Sequence, residues 1–194
     1  KTRAQDELPQ SAGGRTITTT EPKFIPQEAV ELKLAGEVTI RVRLVDCVGF
    51  MVEGAAGHLE DGAERLVKTP WYDHEIPFTQ AAELGTRKVI TDHSTIGVVV
   101  TTDGSFSDLP QETYLDAENQ AISELKKLHK PFLVLVNSSH PSSRTAREAA
   151  ERIEKQHSVA AMPVNCAQLS EEDIRQIMEQ ILYEFPVSRV EFYM

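Results

Sequence analysis

The stretch Arg43-Leu-Val-Asp-Cys-Val-Gly-Phe50 climbs through apolar residues to an acid, Asp46, with a glycine three residues further on. A strand ending in a carboxylate carries that charge to the edge of a sheet, where a hard cation can be held. A glycine just beyond lets a backbone N–H approach a phosphate oxygen with no side chain in the way. Taken alone, the stretch fits a second reading as well, an ordinary strand-to-loop Asp cap.

Working outward, Val30, Leu32 and Leu34 alternate with charged residues, Gly36-Glu37 supplies a turn, and Ile40, Val42 and Leu44 alternate again. This predicts a hairpin with one buried face that ends at Asp46. Before it, Thr16-Ile-Thr-Thr-Thr-Glu-Pro22 is β-branched and then broken by proline. Residues 1–16 are polar, with Gly13-Gly14, and read as loop or frayed helix. Residues 49–77 read as a long loop rich in glycine and charge, with the lone tryptophan in Thr69-Pro-Trp-Tyr72. Loops of that length in compact domains are usually functional. Two roles stay open for its 53–75 portion around Trp71: an element that reports ligand state, or a variable surface insertion.

From there strands and helices alternate. Ala82, Gly85, Val89 and Ile90 mark a short helix, and Ile96-Gly-Val-Val-Val-Thr-Thr102 predicts a strand buried on both faces. Tyr114, Ala117, Ala121, Leu125 and Leu128 stripe a second helix, and Pro131-Phe-Leu-Val-Leu-Val-Asn137 is the next strand. Ala146, Ala149, Ala150 and Ile153 give a third helix, then Ala160 to Asn165 a short strand. Ser170 with Asp173 makes a capping box, and Ile174, Ile177, Met178 and Ile181 stripe the last helix. Such alternation predicts an α/β domain with a mostly parallel sheet and helices on both faces, to which the hairpin adds an antiparallel edge.

Composition sets the bounds. A chain of 194 residues, 40% hydrophobic, suits one α/β domain with a full core. A net charge of −10 argues against nucleic acid as a partner. No apolar run approaches a membrane span, and no secretory signal is visible. Cys47 and Cys166 lack metal-ligand neighbours and read as reduced, buried thiols. His58 and His74 sit among acids, which fits either a metal site or a solvated loop. The chain starts at Lys1 without methionine and stops in the strand-like Val190–Met194, so it reads as a fragment.

In folds of this kind, ligands sit beyond the carboxyl ends of the strands. Asp46, Thr101-Thr-Asp-Gly104, Asn137-Ser-Ser139 and Asn165-Cys-Ala167 all fall there. The layout resembles the small regulatory GTPases, hence a GTPase-like, TRAFAC-type P-loop NTPase of three layers. It departs from them in one respect: the phosphate loop Gly-x-x-x-x-Gly-Lys-[Ser/Thr] is missing. Gly14-Arg-Thr16 does not supply it, because the pattern needs glycine where Pro9 stands. The expectation is a domain over residues 1–186 without its first strand and phosphate loop, followed at 187–194 by the start of a connection. The missing strand should lie between the one ending at Asp46 and the one at Ile96–Thr102. Such a piece is expected to hydrolyse no ATP, to bind nucleotide weakly and to be marginally stable.

Several long strings carry a specific resemblance. Ala4-Gln-Asp-Glu-Leu-Pro-Gln-Ser-Ala12, Thr18-Thr-Thr-Glu-Pro-Lys-Phe24, Leu44-Val-Asp-Cys-Val-Gly49, Thr69-Pro-Trp-Tyr72 and Ala82-Glu-Leu-Gly-Thr-Arg-Lys-Val89 look like the stage IV sporulation protein A family. So do His93-Ser-Thr-Ile-Gly-Val98, Thr101-Thr-Asp-Gly104 and Leu182-Tyr-Glu-Phe-Pro186. The resemblance implies an ATPase, an acid-anhydride hydrolase, that spends ATP with Mg²⁺ to self-assemble into the basement layer of the spore coat. It implies a homo-polymer in the mother-cell cytoplasm, peripheral on the forespore's outer membrane. Implied partners are a small amphipathic membrane peptide and other coat proteins.

It also implies roles for single residues. The family's paired sensor threonines fall on Thr19 and Thr20, with Thr20 joining the Mg²⁺ shell. The residues alone equally fit three β-branched positions opening a strand. Asp46 would hold Mg²⁺ through water, Gly49 would contact the γ-phosphate, and Asn137 and Ser138 would lie at the nucleotide. GTPases read guanine with Asn-Lys-x-Asp, whereas this strand ends Asn137-Ser-Ser-His140, so the nucleotide expected is ATP. Asn137 also fits a bracing role between loops. A non-catalytic scaffold of the same fold, and a GTP-binding switch, are the alternatives.

Overall fold

The computed structural model describes residues 23–34, 38–55, 58–60 and 62–185. They form two compact units, one drawn from Lys1–Ser94 and Ser107–Leu128, the other from Thr95–Phe106 and His129–Met194.

In the first unit, strands β1 (Lys23–Lys33) and β2 (Thr39–Asp46) pair antiparallel, with Leu34 N–H closing on the Val38 carbonyl at 2.8 Å. The register slips between Ile25 and Val30, a stretch that contains Pro26, which has no N–H to give a ladder. The hairpin was expected with one buried face and as the antiparallel edge of the parallel sheet. The buried face is only partial, with Leu34 buried. Among the described residues the hairpin pairs with no strand of the parallel sheet, as the strand expected between them would leave it. It is a separate two-stranded sheet, and Val30 and Leu44 stay exposed while Ile40 and Val42 are half-buried. Two strands alone have no second layer with which to close a face.

The expected loop 49–77 holds two miniature hairpins, β3 (Leu59–Glu60) with β4 (Ala63–Glu64), and β5 (Leu66–Val67) with β6 (Ile76–Pro77). Two-residue ladders leave no period to read in a sequence. Helix α1 (Phe78–Lys88) follows and buries Phe78, Ala81, Ala82, Gly85 and Thr86, then ends in a π turn over Val89–His93. Helix α2 (Leu115–Lys127) buries Ile122 and Leu125, while Leu128, assigned to its stripe from sequence, is exposed.

The second unit is a parallel sheet in the order β7 (Gly97–Thr102), β8 (Phe132–Asn137), β9 (Ala161–Val164). Central β8 is buried from Phe132 to Val136, as a continuous apolar run predicts. β7 differs from its expectation: Val99, Thr101 and Thr102 are buried, but Val98 and Val100 are exposed. No strand other than β8 pairs with β7 among the described residues, and the face carrying Val98 and Val100 is exposed. Helix α3 (Arg144–His157) packs on β8 and β9 through Ala146, Ala149, Ala150 and Ile153. Helix α4 (Glu171–Tyr183) starts from the predicted capping box, Ser170 accepting from Asp173 N–H while the Asp173 carboxylate accepts from Ser170 N–H. Its Ile177 and Ile181 meet Leu133, Leu135 and Val164 in one cluster. Among the described residues no helix is long and apolar enough to cross a membrane.

Candidate functional site

Strand ends position the candidate residues in both units. In the first, Asp46 ends β2 as an exposed residue, opposite Lys23 in the ladder. The chain then turns through Cys47 and Val48, and buried Phe50 anchors the far side. Gly49 sits at a φ of +85°, where a side chain would be strained. Its N–H donates to Thr86 Oγ1 at 3.0 Å, and the Thr86 hydroxyl donates back to the Gly49 carbonyl at 3.1 Å. α1 therefore holds the turn through one buried hydroxyl. Burial pushes the Cys47 thiol up, against hydrogen bonds with Thr86 and Gly49 that pull it down, so it is a poor thiolate.

The region between β2 and α1 is tied down by aromatic and polar contacts. The Arg65 guanidinium lies 4.2 Å from the Phe78 ring centre, and Lys88 lies 5.7 Å from that of Trp71. Tyr72 and His74 meet edge to face at 5.4 Å, and the Thr79 hydroxyl donates to Glu64. His58 and His74 join no metal-binding group, since the described residues contain no cluster of three or more His, Cys, Asp or Glu side chains.

In the second unit, the loops after β7, β8 and β9 are knotted together. Asp103 Oδ2 accepts from the Ser138 hydroxyl at 2.6 Å, and Oδ1 accepts from the Ser105 hydroxyl at 2.5 Å and the Ser105 N–H at 3.0 Å. Burial pushes the Asp103 carboxyl up, but these hydrogen bonds outweigh it and leave the group below its ordinary value. Ser138 is fully buried and its hydroxyl also accepts the His140 N–H at 3.1 Å. Asn137 Oδ1 accepts the Cys166 N–H at 2.9 Å, which is the bracing role its position allowed. Ser139 N–H donates to Ser105 Oγ at 2.9 Å.

The candidates thus divide. Asp46 and Gly49 belong to the first unit, and Asn137 and Ser138 to the second. Thr19 and Thr20 lie outside the described residues. Thr86 and Asp103, which hold strand-end loops, are not singled out by the sequence. Asp103-Gly104 also sets an acid before a glycine at a strand end, but with no residue between them, and that string carries no sign of the Ser138 partner. Thr86 carried none, because its partner is 37 residues away.

The family model described as stage IV sporulation protein A, ATPase domain, matches residues 1–186. The chain is 47% identical to stage IV sporulation protein A of Clostridioides difficile over 190 residues, covering 98% of this chain and 39% of that protein. It is 44% identical to the proteins of that name from Bacillus anthracis, over 97% of this chain and 38% of the relative, and Bacillus subtilis, over 98% and 39%. The chain therefore spans about two fifths of the length of these curated relatives.

Proposed function

Since the chain belongs to the stage IV sporulation protein A family, matched along its ATPase domain, we propose that it is the nucleotide-handling part of an ATPase of the spore coat. ATP turnover drives self-assembly of the protein into the coat's basement layer, as a homo-polymer peripheral on the forespore surface in the mother cell. An amphipathic membrane peptide and other coat proteins are its partners there. The fold proposed is the GTPase-like, TRAFAC-type P-loop arrangement, whose ligand lies beyond the carboxyl ends of the strands.

The observation that carries this reading is the Asp46 carboxylate, exposed at the end of β2 and three residues before a glycine at positive φ. An exposed oxygen donor fits Mg²⁺, which keeps most of its water and needs only one or two carboxylates. When bound, Mg²⁺ neutralises charge on the phosphates of ATP. The chain's own residues do the rest. Asp46 orients the metal's water shell, and the Gly49 N–H donates to the γ-phosphate. Thr19 and Thr20 sense that phosphate before Glu21-Pro22. Asn137 and Ser138 serve the nucleotide through the loops they hold, Asn137 by accepting the Cys166 N–H and Ser138 by donating its hydroxyl to Asp103. With His140 where GTPases place their guanine-reading aspartate, ATP is the substrate and a GTP switch the weaker reading.

The test is Thr19→Ala with Thr20→Ala in the protein at its full natural length. ATP should still bind by titration calorimetry while steady-state hydrolysis stops. Hydrolysis at the wild-type rate would remove the sensor assignment, and a wild-type protein that binds no ATP would leave a non-catalytic scaffold.

A further inference from the structure

We propose that Thr86 is a positioning residue for the γ-phosphate contact: its hydroxyl holds the Gly49 peptide in the ADP-bound and nucleotide-free forms and releases it to ATP. The inference rests on the reading above, in which Gly49 donates to that phosphate.

The Gly49 N–H has one proton to give, and Thr86 Oγ1 holds it at 3.0 Å. The same hydroxyl donates to the Gly49 carbonyl at 3.1 Å, so both polar groups of one residue close on one side chain. A phosphate oxygen takes the N–H only when that pair opens. The pivot suits the exchange. Nothing lies within 4 Å of where a Gly49 Cβ would stand, so the peptide can turn without meeting a side chain. The cost falls on Thr86, which is 4% exposed and whose hydroxyl must find another acceptor once Gly49 leaves. A helical threonine finds one in the carbonyl a turn back along its own helix. Because Thr86 lies on α1, the exchange also transmits the presence of the γ-phosphate to that helix.

Thr86→Val keeps the β-branched shape and removes the hydroxyl. The closed form then loses its hydrogen bonds, and the open form no longer has to find a new acceptor for a buried hydroxyl. Both effects favour ATP, while Thr86→Ser keeps the exchange intact. The experiment measures the affinity of the full-natural-length protein for Mg²⁺ with a non-hydrolysable ATP analogue and with ADP, in wild type, Thr86→Val, Thr86→Ser and Gly49→Ala. The preference for the analogue over ADP should rise about fivefold to tenfold in Thr86→Val, the change expected of one net hydrogen bond. Thr86→Ser should keep the wild-type ratio, and Gly49→Ala, strained at φ +85°, should lower it. A variant that merely folds less well binds both ligands less and leaves the ratio unmoved. A wild-type ratio in Thr86→Val alongside a lowered ratio in Gly49→Ala overturns the Thr86 proposal alone. An unmoved ratio in Gly49→Ala overturns the γ-phosphate reading and the proposal with it.

Discussion

β2 and β7 each carry an aspartate to a strand's carboxyl end with a glycine close behind, and the two acids are used in opposite ways. Asp46 is exposed at the end of β2, and no hydrogen bond of its carboxylate ties one loop to another among the described residues. The Asp103 carboxylate collects three hydrogen bonds from Ser105 and Ser138 and so joins the loops that follow β7 and β8. The glycines differ in the same sense. Gly104 N–H closes locally on Thr102 Oγ1 at 3.0 Å, whereas Gly49 N–H reaches across to Thr86. An exposed acid is open to a cation, and an acid ringed by hydroxyls is a structural tie. The surrounding donors, rather than the strand ending itself, decide which.

The comparison is broken most directly at Asp46. Asp46→Asn should lower ATP turnover about 10-fold to 100-fold, the range seen when a group acting on a metal's outer shell is removed. The urea unfolding midpoint should move little, because Asp46 is exposed at the end of its strand. Asp103→Ala should behave in reverse. Unfolding should become easier by about 1–3 kcal/mol, since the buried Ser138 hydroxyl loses its acceptor. Turnover per folded molecule should fall less than in Asp46→Asn.

The acid limb of stability sharpens the contrast. The Asp103 carboxyl lies below its ordinary value in the folded chain, so the unfolded chain takes up its proton first as pH drops. Its contribution is complete above the unfolded carboxylate value, about pH 4, and is lost as pH falls through the lower folded value. Asp103→Asn lacks that loss, so the gap between its urea midpoint and that of wild type should narrow from pH 7 to pH 3. A gap that stays constant would mean the tie does not depend on the charge, and one that widens would reverse the direction of the shift. The smallest effect belongs to Ser170→Ala, which breaks the capping box of α4. It should cost about 1 kcal/mol in chemical denaturation and leave ATP turnover per folded molecule alone.

What the sequence made legible follows from period and local chemistry. The buried run of β8, the alanine face of α3, the Ser170–Asp173 box and the delivery of Asp46 by β2 all rest on neighbours within a few residues. What escaped depends on distant partners. Val98 and Val100 read as buried because an apolar run does not say which of its faces another element covers. The hairpins β3–β4 and β5–β6 are too short to show alternation. Asp103 finds Ser138 at a separation of 35 residues, so its tie was invisible in the Thr-Thr-Asp-Gly string. The sensor threonines, named by resemblance, lie outside the described residues and await the experiment on Thr19 and Thr20.

The central claim is that Asp46, and not Asp103, faces the metal. The measurement that reaches it most directly is an Mg²⁺ titration of ATP hydrolysis by the full-natural-length protein, comparing wild type, Asp46→Asn and Asp103→Asn. The structure predicts that Asp46→Asn needs about tenfold more Mg²⁺ for half-maximal rate, while Asp103→Asn keeps the wild-type midpoint. An unchanged midpoint in Asp46→Asn, or a shift in Asp103→Asn instead, would contradict it.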